Sequence, residues 1–147
     1  MAKNAYEMFG TEKALETEGV WFNFGPFRIK VSRAGGNNRR FRNLLQAKMK
    51  PYRHQIDNET MDEKVTEQIF RDCYAQTVVI GWQTNTSDGP DEVWSDYLET
   101  PEGNLEFTAE NCSRVFKELP DFFKQVQKLA MDMSYYRNET EDQDAKN

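Results

Sequence analysis

The chain has 147 residues, the length of one ordinary domain, and a formal net charge of -6 at pH 7. Hydrophobic residues make up 37% and aromatic residues 13% of it, which allows a small core built from large side chains. No apolar run is long enough to span a bilayer and the first residues lack the apolar region of a secretory signal, so we expect a cytosolic protein without membrane association. Cys73 and Cys112 share no CxxC spacing, which argues against a disulfide framework or a zinc site.

The charge is distributed very unevenly. Residues 19–56 contain nine Lys or Arg and no Asp or Glu, and the rest of the chain is strongly acidic. This basic segment is the best candidate for a contact surface. It could bind nucleic acid, bind an acidic or helical protein, or pair with acidic residues of the chain itself, such as those over 12–18. A pI of about 4.9 argues against long-range attraction to a polyanion.

The first predicted element is a β-hairpin over about residues 20–33. Residues 1–18 before it are polar and predict at most one helical turn. Gly25 and Pro26 supply a turn, and the residues after them alternate between an apolar and a polar face. The apolar face holds Phe27, Ile29 and Val31, and the polar face holds Arg28, Lys30 and Ser32. A lone hairpin is marginal in water, so we expect helices against its apolar face or a third strand from another copy or a partner.

Three helical segments are predicted after the hairpin. The first covers about residues 38–50, with Asn37 or Asn38 as its cap and Pro51 as its end. The second covers about residues 59–81 and ends at Gly81. The third covers about residues 108–136, begins at the cap Thr108, and either bends or restarts at Pro120.

The remaining residues show no helical or strand periodicity. Residues 83–106 predict a long loop that is either functional or mobile, and residues 137–147 predict a disordered acidic tail. The predicted fold class is mainly α with a small N-terminal β-hairpin (α+β), a helical bundle of three to four helices. One domain over residues 1–136 would contain all of these elements.

No constellation of catalytic residues is visible. His54 is the single histidine and lies beside Arg53 in a basic loop, where nothing makes it a buried base. The glycines at 35 and 36 are too few for a phosphate-binding loop, and the four carboxylates over 88–96 lack the spacing of a calcium loop. We therefore expect a protein that is not an enzyme and uses no cofactor or metal.

Several short segments occur in a familiar order. They are LETEGVW at 15–21, FRIKVSRAGGNNRRF at 27–41, KPYR at 50–53, YAQTVVIGW at 74–82, FTAEN at 107–111 and LPDFF at 119–123. Together they resemble the tail assembly chaperones of long-tailed, siphovirus-like bacteriophages, the group that includes the lambda-type chaperones. The resemblance covers about residues 15–129, and RAGGNNRRF is its most specific part. The resemblance assigns no role to the loop over 83–106 or to the acidic tail.

The resemblance implies a non-enzymatic protein of the host cytoplasm that binds and solubilises the tape-measure protein, recruits tail-tube subunits, and is absent from the mature virion. The expected partner-binding residues are Trp21, Phe27, Arg28, Lys30, Arg39, Arg40 and Arg42. The alternative is a nucleic-acid-binding phage accessory protein that uses the basic segment 28–53, although nucleic acid is the less favoured partner. A third hypothesis, an inhibitor that mimics DNA through its acidic surface, is supported by the net charge alone. The exposed edge of the hairpin would also allow self-association.

Overall fold

A computed structural model describes residues 4–137. Two short helices, α1 (Ala5–Phe9) and α2 (Lys13–Glu18), precede strands β1 (Val20–Asn23) and β2 (Phe27–Val31). Helix α3 (Arg39–Met49) continues through a 3-10 turn at Lys50–Tyr52 into α4 (Arg53–Asp57). Helix α5 (Glu63–Thr77) leads directly into β3 (Val79–Asn85). The chain then forms β4 (Trp94–Ser95), β5 (Leu98–Thr100), β6 (Gly103–Leu105), α6 (Ala109–Glu118), α7 (Pro120–Met131) and a 3-10 turn at Met133–Tyr136.

The strands form two antiparallel sheets. The larger has the order β1-β2-β3-β4, and the smaller is the β5-β6 hairpin. The predicted hairpin is present, with Trp21 opposite Lys30 in β1 and β2. Its third strand is β3 of the same chain, in which Trp82 lies opposite Ile29, and no second copy is needed to supply it. The chain therefore completes its own sheet around a central pair of strands.

The expectation of a helical bundle with a lone hairpin was wrong. Helix α5 ends at Thr77, and the apolar run that follows it, Val78 to Trp82, belongs mainly to a strand and not to the last turn of the helix. Gly81, expected as the stop of this helix, lies inside β3 opposite Lys30. A short apolar run fits a buried helix end and a central strand equally well, and its β-branched residues favour the strand.

Residues 83–106 were predicted as one long loop, but they contain the end of β3 and strands β4 to β6. Long-range hydrogen bonds hold this segment to the sheet. Thr84 Oγ1 donates to the Tyr97 carbonyl at 2.7 Å and accepts from the Glu99 amide at 3.1 Å. Trp82 Nε1 donates to the Leu105 carbonyl at 3.0 Å. Such contacts leave no periodic pattern in the sequence.

The other helical predictions have different outcomes. Of the two alternatives for the segment over 108–136, the restart is confirmed: Leu119 has non-helical φ and ψ of -123° and 72°, and α7 starts at Pro120. The polar lead-in, predicted to hold at most one helical turn, contains α1 and α2. The first predicted helix, about 38–50, corresponds closely to α3. Apart from Arg137, the predicted acidic tail over 137–147 lies outside the described residues.

The core lies between one face of the larger sheet and helices α3, α5, α6 and α7. Aromatic rings join these layers: Tyr74 of α5 meets Phe41 of α3 and Phe123 of α7, both at 5.3 Å between ring centroids. Ile29 and Val31 of β2 are buried in the same cluster. Because strand residues alternate, Arg28 and Lys30 must project from the opposite face of the sheet. Their side chains are only half-buried, so that face reaches solvent.

Candidate interaction surfaces

The glycine and asparagine turn over residues 34–38 surrounds a fully buried carboxylate, that of Glu16 in α2. Thr11 Oγ1 and Asn37 Nδ2 donate hydrogen bonds of 2.8 and 2.6 Å to its Oε1. Arg33 Nη1 forms an ion pair of 2.6 Å with its Oε2. Burial raises the pKa of Glu16, but these hydrogen bonds and the Arg33 charge outweigh it and hold the pKa below the usual value. The turn is thereby tied to the N-terminal helices.

Asn38 ties the same turn to α5. Its amide nitrogen is directed at Ser32 Oγ (3.1 Å) and at the carbonyl oxygens of Arg33 (2.8 Å) and Thr77 (3.0 Å). Asn38 occupies the cap position of α3, but its side chain makes no capping hydrogen bond. Asn38 is therefore the cap residue of α3, as predicted, although its side chain bonds to other groups. The RAGGNN motif therefore connects the hairpin to the helices through the buried side chain of Asn38 and through its contacts with the buried carboxylate of Glu16.

The solvent-facing side of the larger sheet is organised around Arg28. Its guanidinium carbon lies 4.3 Å from the ring centroid of Trp21 on β1 and 4.4 Å from that of Trp94 on β4. Nε and Nη2 of Arg28 both donate to Gln83 Oε1, at 2.8 and 2.5 Å, and Gln83 Nε2 donates to Asp96 Oδ1 at 2.6 Å. The stack and the hydrogen bonds hold the guanidinium in one position through contacts that involve all four strands of the larger sheet.

We call this side the outer sheet face and define it by Trp21, Arg28, Lys30, Gln83 and Trp94. Lys30 Nζ lies 5.9 Å from the Trp21 ring, and its opposite partner Gly81 has open space where a side chain would project. Glu92 accepts hydrogen bonds of 3.2 Å from Trp94 Nε1 and from Asn23 Nδ2. The face therefore combines aromatic rings with charges of both signs, which suits a protein partner better than a polyanion.

The seven predicted binding residues do not form one surface. Trp21, Arg28 and Lys30 come together on the outer sheet face. The other four, Phe27, Arg39, Arg40 and Arg42, lie elsewhere.

Phe27 projects from the opposite, inner face of β2. Its ring stacks on Phe24 at 5.1 Å and meets the edge of Phe122 at 5.5 Å. It is packed against the core and contributes to a groove on the helical side of the sheet.

The three remaining arginines are exposed on α3, in the helical layer. Arg40 Nη2 lies 3.4 Å from the Gln76 carbonyl, and Arg42 Nη2 lies 3.3 Å from the Gly36 carbonyl. Both are long contacts to backbone carbonyl oxygens. Within residues 4–137, none of the three guanidinium groups forms an ion pair. They form a second, separate basic surface.

Sequence reasoning missed an open groove of about 830 Å³ between the β5-β6 hairpin and helices α6 and α7. Glu99, Glu102, Glu118 and Arg114 lie among the residues that line it. Its apolar lining is Phe27, Leu98, Leu105, Val115, Leu119 and Phe122. The hairpin side of this groove could have been predicted from one sequence signal. Leu98 and Leu105 flank Thr100-Pro-Glu-Gly, a turn sequence at the centre of a short hairpin.

The other candidate reactive groups show no activated environment. Cys73 and Cys112 are buried, and burial raises the pKa of both thiols. His54 is exposed, with Nε2 3.1 Å from Asn58 Nδ2. Within residues 4–137, no three His, Cys, Asp or Glu side chains are placed to hold a metal, and no helix is long and apolar enough to cross a membrane.

The chain matches a family model described as YdaY prophage protein over residues 36–147. The chain belongs to the YdaY prophage protein family. It is therefore phage-derived. The part that matches the YdaY family contains the α3 arginines, Trp94 and the groove except Phe27, whereas Trp21, Arg28 and Lys30 precede it. No curated protein and no solved structure matched the chain.

Proposed function

We propose that the chain is a non-enzymatic tail assembly chaperone, which binds and solubilises the tape-measure protein of its phage and recruits tail-tube subunits in the host cytoplasm. Membership of a prophage protein family supports the phage context. The ordered segments over residues 15–129 that resemble tail assembly chaperones support the more specific role. The outer sheet face supplies a surface suited to binding a protein.

The stack of Arg28 between Trp21 and Trp94 is the observation that carries this proposal. Trp and Arg are the residues most enriched among those that dominate protein interfaces. Gln83 and Asp96 hold the guanidinium in place before any partner arrives, so little side-chain freedom would be lost on binding. The five residues of the outer sheet face are all half-buried, which leaves part of each ring and charge open to a partner.

Co-expression tests the proposed role. The tape-measure protein encoded by the same prophage is expressed alone and together with this chain, and its soluble fraction is measured after centrifugation. We expect most of it to pellet when expressed alone and to stay soluble with the chain. Equal solubility in both cases would remove the proposal. Lys117→Glu, an exposed change on α6 outside the outer sheet face, serves as a control that keeps activity.

A nucleic-acid-binding accessory protein is the second candidate, because an open sheet carrying two Trp, Arg28 and Lys30 is a surface type that can stack on bases. Two features weigh against it. Arg28 already lies against both Trp rings, and the Glu92 and Asp96 carboxylates lie beside them. Gel shifts of single- and double-stranded DNA over a salt series test this candidate: it requires binding that weakens with salt, and no shift at low salt would dismiss it.

Self-association through β1 is part of the same proposal. Strand β1 lies at the end of the larger sheet, with one edge not paired to another strand of that sheet. Such an edge offers backbone N–H and C=O groups to a strand of a second copy. Light scattering over a concentration series should show a mass that rises with concentration, and a constant monomer mass would exclude it.

A further inference from the structure

We infer that the groove between the β5-β6 hairpin and helices α6 and α7 binds an amphipathic helix whose apolar stripe is flanked by Lys or Arg. This inference goes beyond the proposed function, since it concerns a different surface and holds whichever protein supplies the helix.

The groove has an apolar floor that nothing in the described chain covers completely. Leu119, at the break between α6 and α7, keeps 53% of its surface exposed. Val115 lies four residues earlier on α6, and Phe122 lies on the first turn of α7. Val115 is only 4% exposed and lies at the bottom of the groove, so the exposed Leu119 and the half-buried Phe122 are the side chains that the apolar stripe of a second helix would contact.

The groove offers little to an extended peptide. Strand β6 has only three residues, and the carbonyl of Leu105 already accepts a hydrogen bond from Trp82 Nε1. A strand entering an apolar groove needs partners for its backbone N–H and C=O groups, and few are present. A helix satisfies its own backbone and requires only side-chain contacts. The groove therefore favours a helical occupant.

The charge of the groove defines the flanks of that helix. Glu99, Glu102 and Glu118 are exposed along the lining. Arg114 is its one cation, and its Nε lies 3.8 Å from a carboxylate oxygen of Glu118, so the lining is acidic overall. Lys or Arg beside the apolar stripe would complement it, whereas Asp or Glu would be repelled. Charge also argues against residues 138–147 of this chain as the occupant of the groove, because they are rich in Asp and Glu.

A second copy of α3, the most basic helix of this chain, does not fit. Its apolar residues, including Phe41 and Leu45, pack into the core of their own chain, so a folded copy presents only its polar side. The helix must come from another protein.

Labelled synthetic peptides test the inference by fluorescence anisotropy with the full chain. The first peptide is a helix of about 18 residues, or ~27 Å, with a Leu stripe flanked by Lys. Three others carry Glu flanks, a scrambled stripe, or a central Pro that prevents the helix. We expect the Lys-flanked helix to bind with micromolar affinity and each of the other three at least about tenfold more weakly.

Variants then locate the binding site. Leu119→Asp and the pair Glu102→Lys with Glu118→Lys should each weaken the Lys-flanked helix by at least about tenfold. Val93→Asp changes a Val of the same 53% exposure, and Asp88→Lys reverses a charge in the β3-β4 loop, both outside the groove. These two controls should leave the affinity unchanged. Circular dichroism and urea midpoints confirm that each variant is folded.

Three peptide-binding results would each overturn the inference: no binding of the Lys-flanked helix, equal binding of the Glu-flanked or Pro-containing peptide, or binding that Leu119→Asp leaves intact. Loss of a dimer on Leu119→Asp in light scattering would overturn it in favour of a second copy. The solubility of the tape-measure protein is a separate readout, so failure here and failure of the chaperone proposal can be told apart.

Discussion

The backbone of Gly36 lies directly against the carboxylate of Glu16: a Cβ built at position 36 would come within 2.0 Å of Glu16 Oε2. Gly36 also has a φ of +52°, in the left-handed region that side chains disfavour. Both facts require glycine at the second position of the Gly35-Gly36 pair. The RAGGNNRRF segment therefore needs glycine at position 36 partly because the carboxylate of Glu16, in α2, lies against that position.

Gly36→Ala should lower the free energy of unfolding by about 3 kcal/mol. About 1–2 kcal/mol comes from the left-handed backbone, and the rest from displacing a buried carboxylate from its partners. Urea denaturation followed by circular dichroism measures the loss.

The Glu16→Ala background separates the two causes. Once the carboxylate is gone, Gly36→Ala should cost only the backbone part, about 1–2 kcal/mol. The same loss in both backgrounds would show that the contact with Glu16 has no energetic effect.

The buried carboxylate should make stability depend on pH. The pKa of Glu16 is lower in the folded chain than its ordinary value of about 4.3, so its contribution is present above that value and is lost as pH falls through the folded pKa. Glu16→Gln should cost about 1–3 kcal/mol at about pH 7, since a hydrogen-bonded charge is lost.

That difference should shrink as the pH falls through the folded pKa, because wild-type Glu16 then becomes protonated too. Urea midpoints of wild type and Glu16→Gln at several pH values measure it. Asp88→Asn, a change of an exposed loop carboxylate, is the control. A cost of Glu16→Gln that stays constant or grows on acidification contradicts the assignment.

The hairpin and α3 could be predicted from the sequence because each leaves a local pattern. Residues 27–31 alternate between apolar and polar, and α3 carries an apolar stripe that ends at a proline. The charges of the sequence also allow the basic segment to pair with residues 12–18, and the Arg33 to Glu16 ion pair is such a contact. The burial of Glu16 itself could not be predicted, because it depends on a turn brought close by folding.

Strand β3 had no local pattern to reveal it, and the groove had only the turn sequence between Leu98 and Leu105. Residues 78–82 contain no polar side chain, which hides the alternation of a strand that is buried on one face and has Ile80 39% exposed on the other. Strands β4, β5 and β6 have two or three residues each, too few for an alternation to be read. Trp94 was therefore placed in a loop, and its stacking on Arg28 across β3 was not foreseen.

Arg28→Ala should lower the free energy of unfolding by about 1 kcal/mol, because it removes two partly exposed cation–π contacts. The fluorescence of Trp21 and Trp94 should shift to longer wavelength as their rings meet water. Arg28→Lys should restore little, since an ammonium lacks the planar stacking surface.

Lys30→Ala is the matched control for that change, because Lys30 Nζ lies 5.9 Å from the Trp21 ring and has the weaker contact. It should cost less than half as much. An equal cost for the two variants would mean that the stack contributes nothing specific.

The two thiols should be unreactive in the folded chain. Cys73 and Cys112 are fully buried, and the raised pKa of each keeps the sulfur protonated near neutral pH. A disulfide reagent such as dithionitrobenzoate should label both at once in denaturant, but only at the rate of unfolding in buffer. Rapid labelling of one thiol in the native protein contradicts this prediction.

The central claim, that the outer sheet face binds the tape-measure protein, is tested most directly by copurification. Affinity-tagged wild type, Arg28→Glu and Lys117→Glu are each co-expressed with the tape-measure protein, and the amount retained with the tag is compared. The account predicts that wild type and Lys117→Glu retain it, while Arg28→Glu folds but does not. Equal retention by Arg28→Glu, or none by wild type, would contradict the claim.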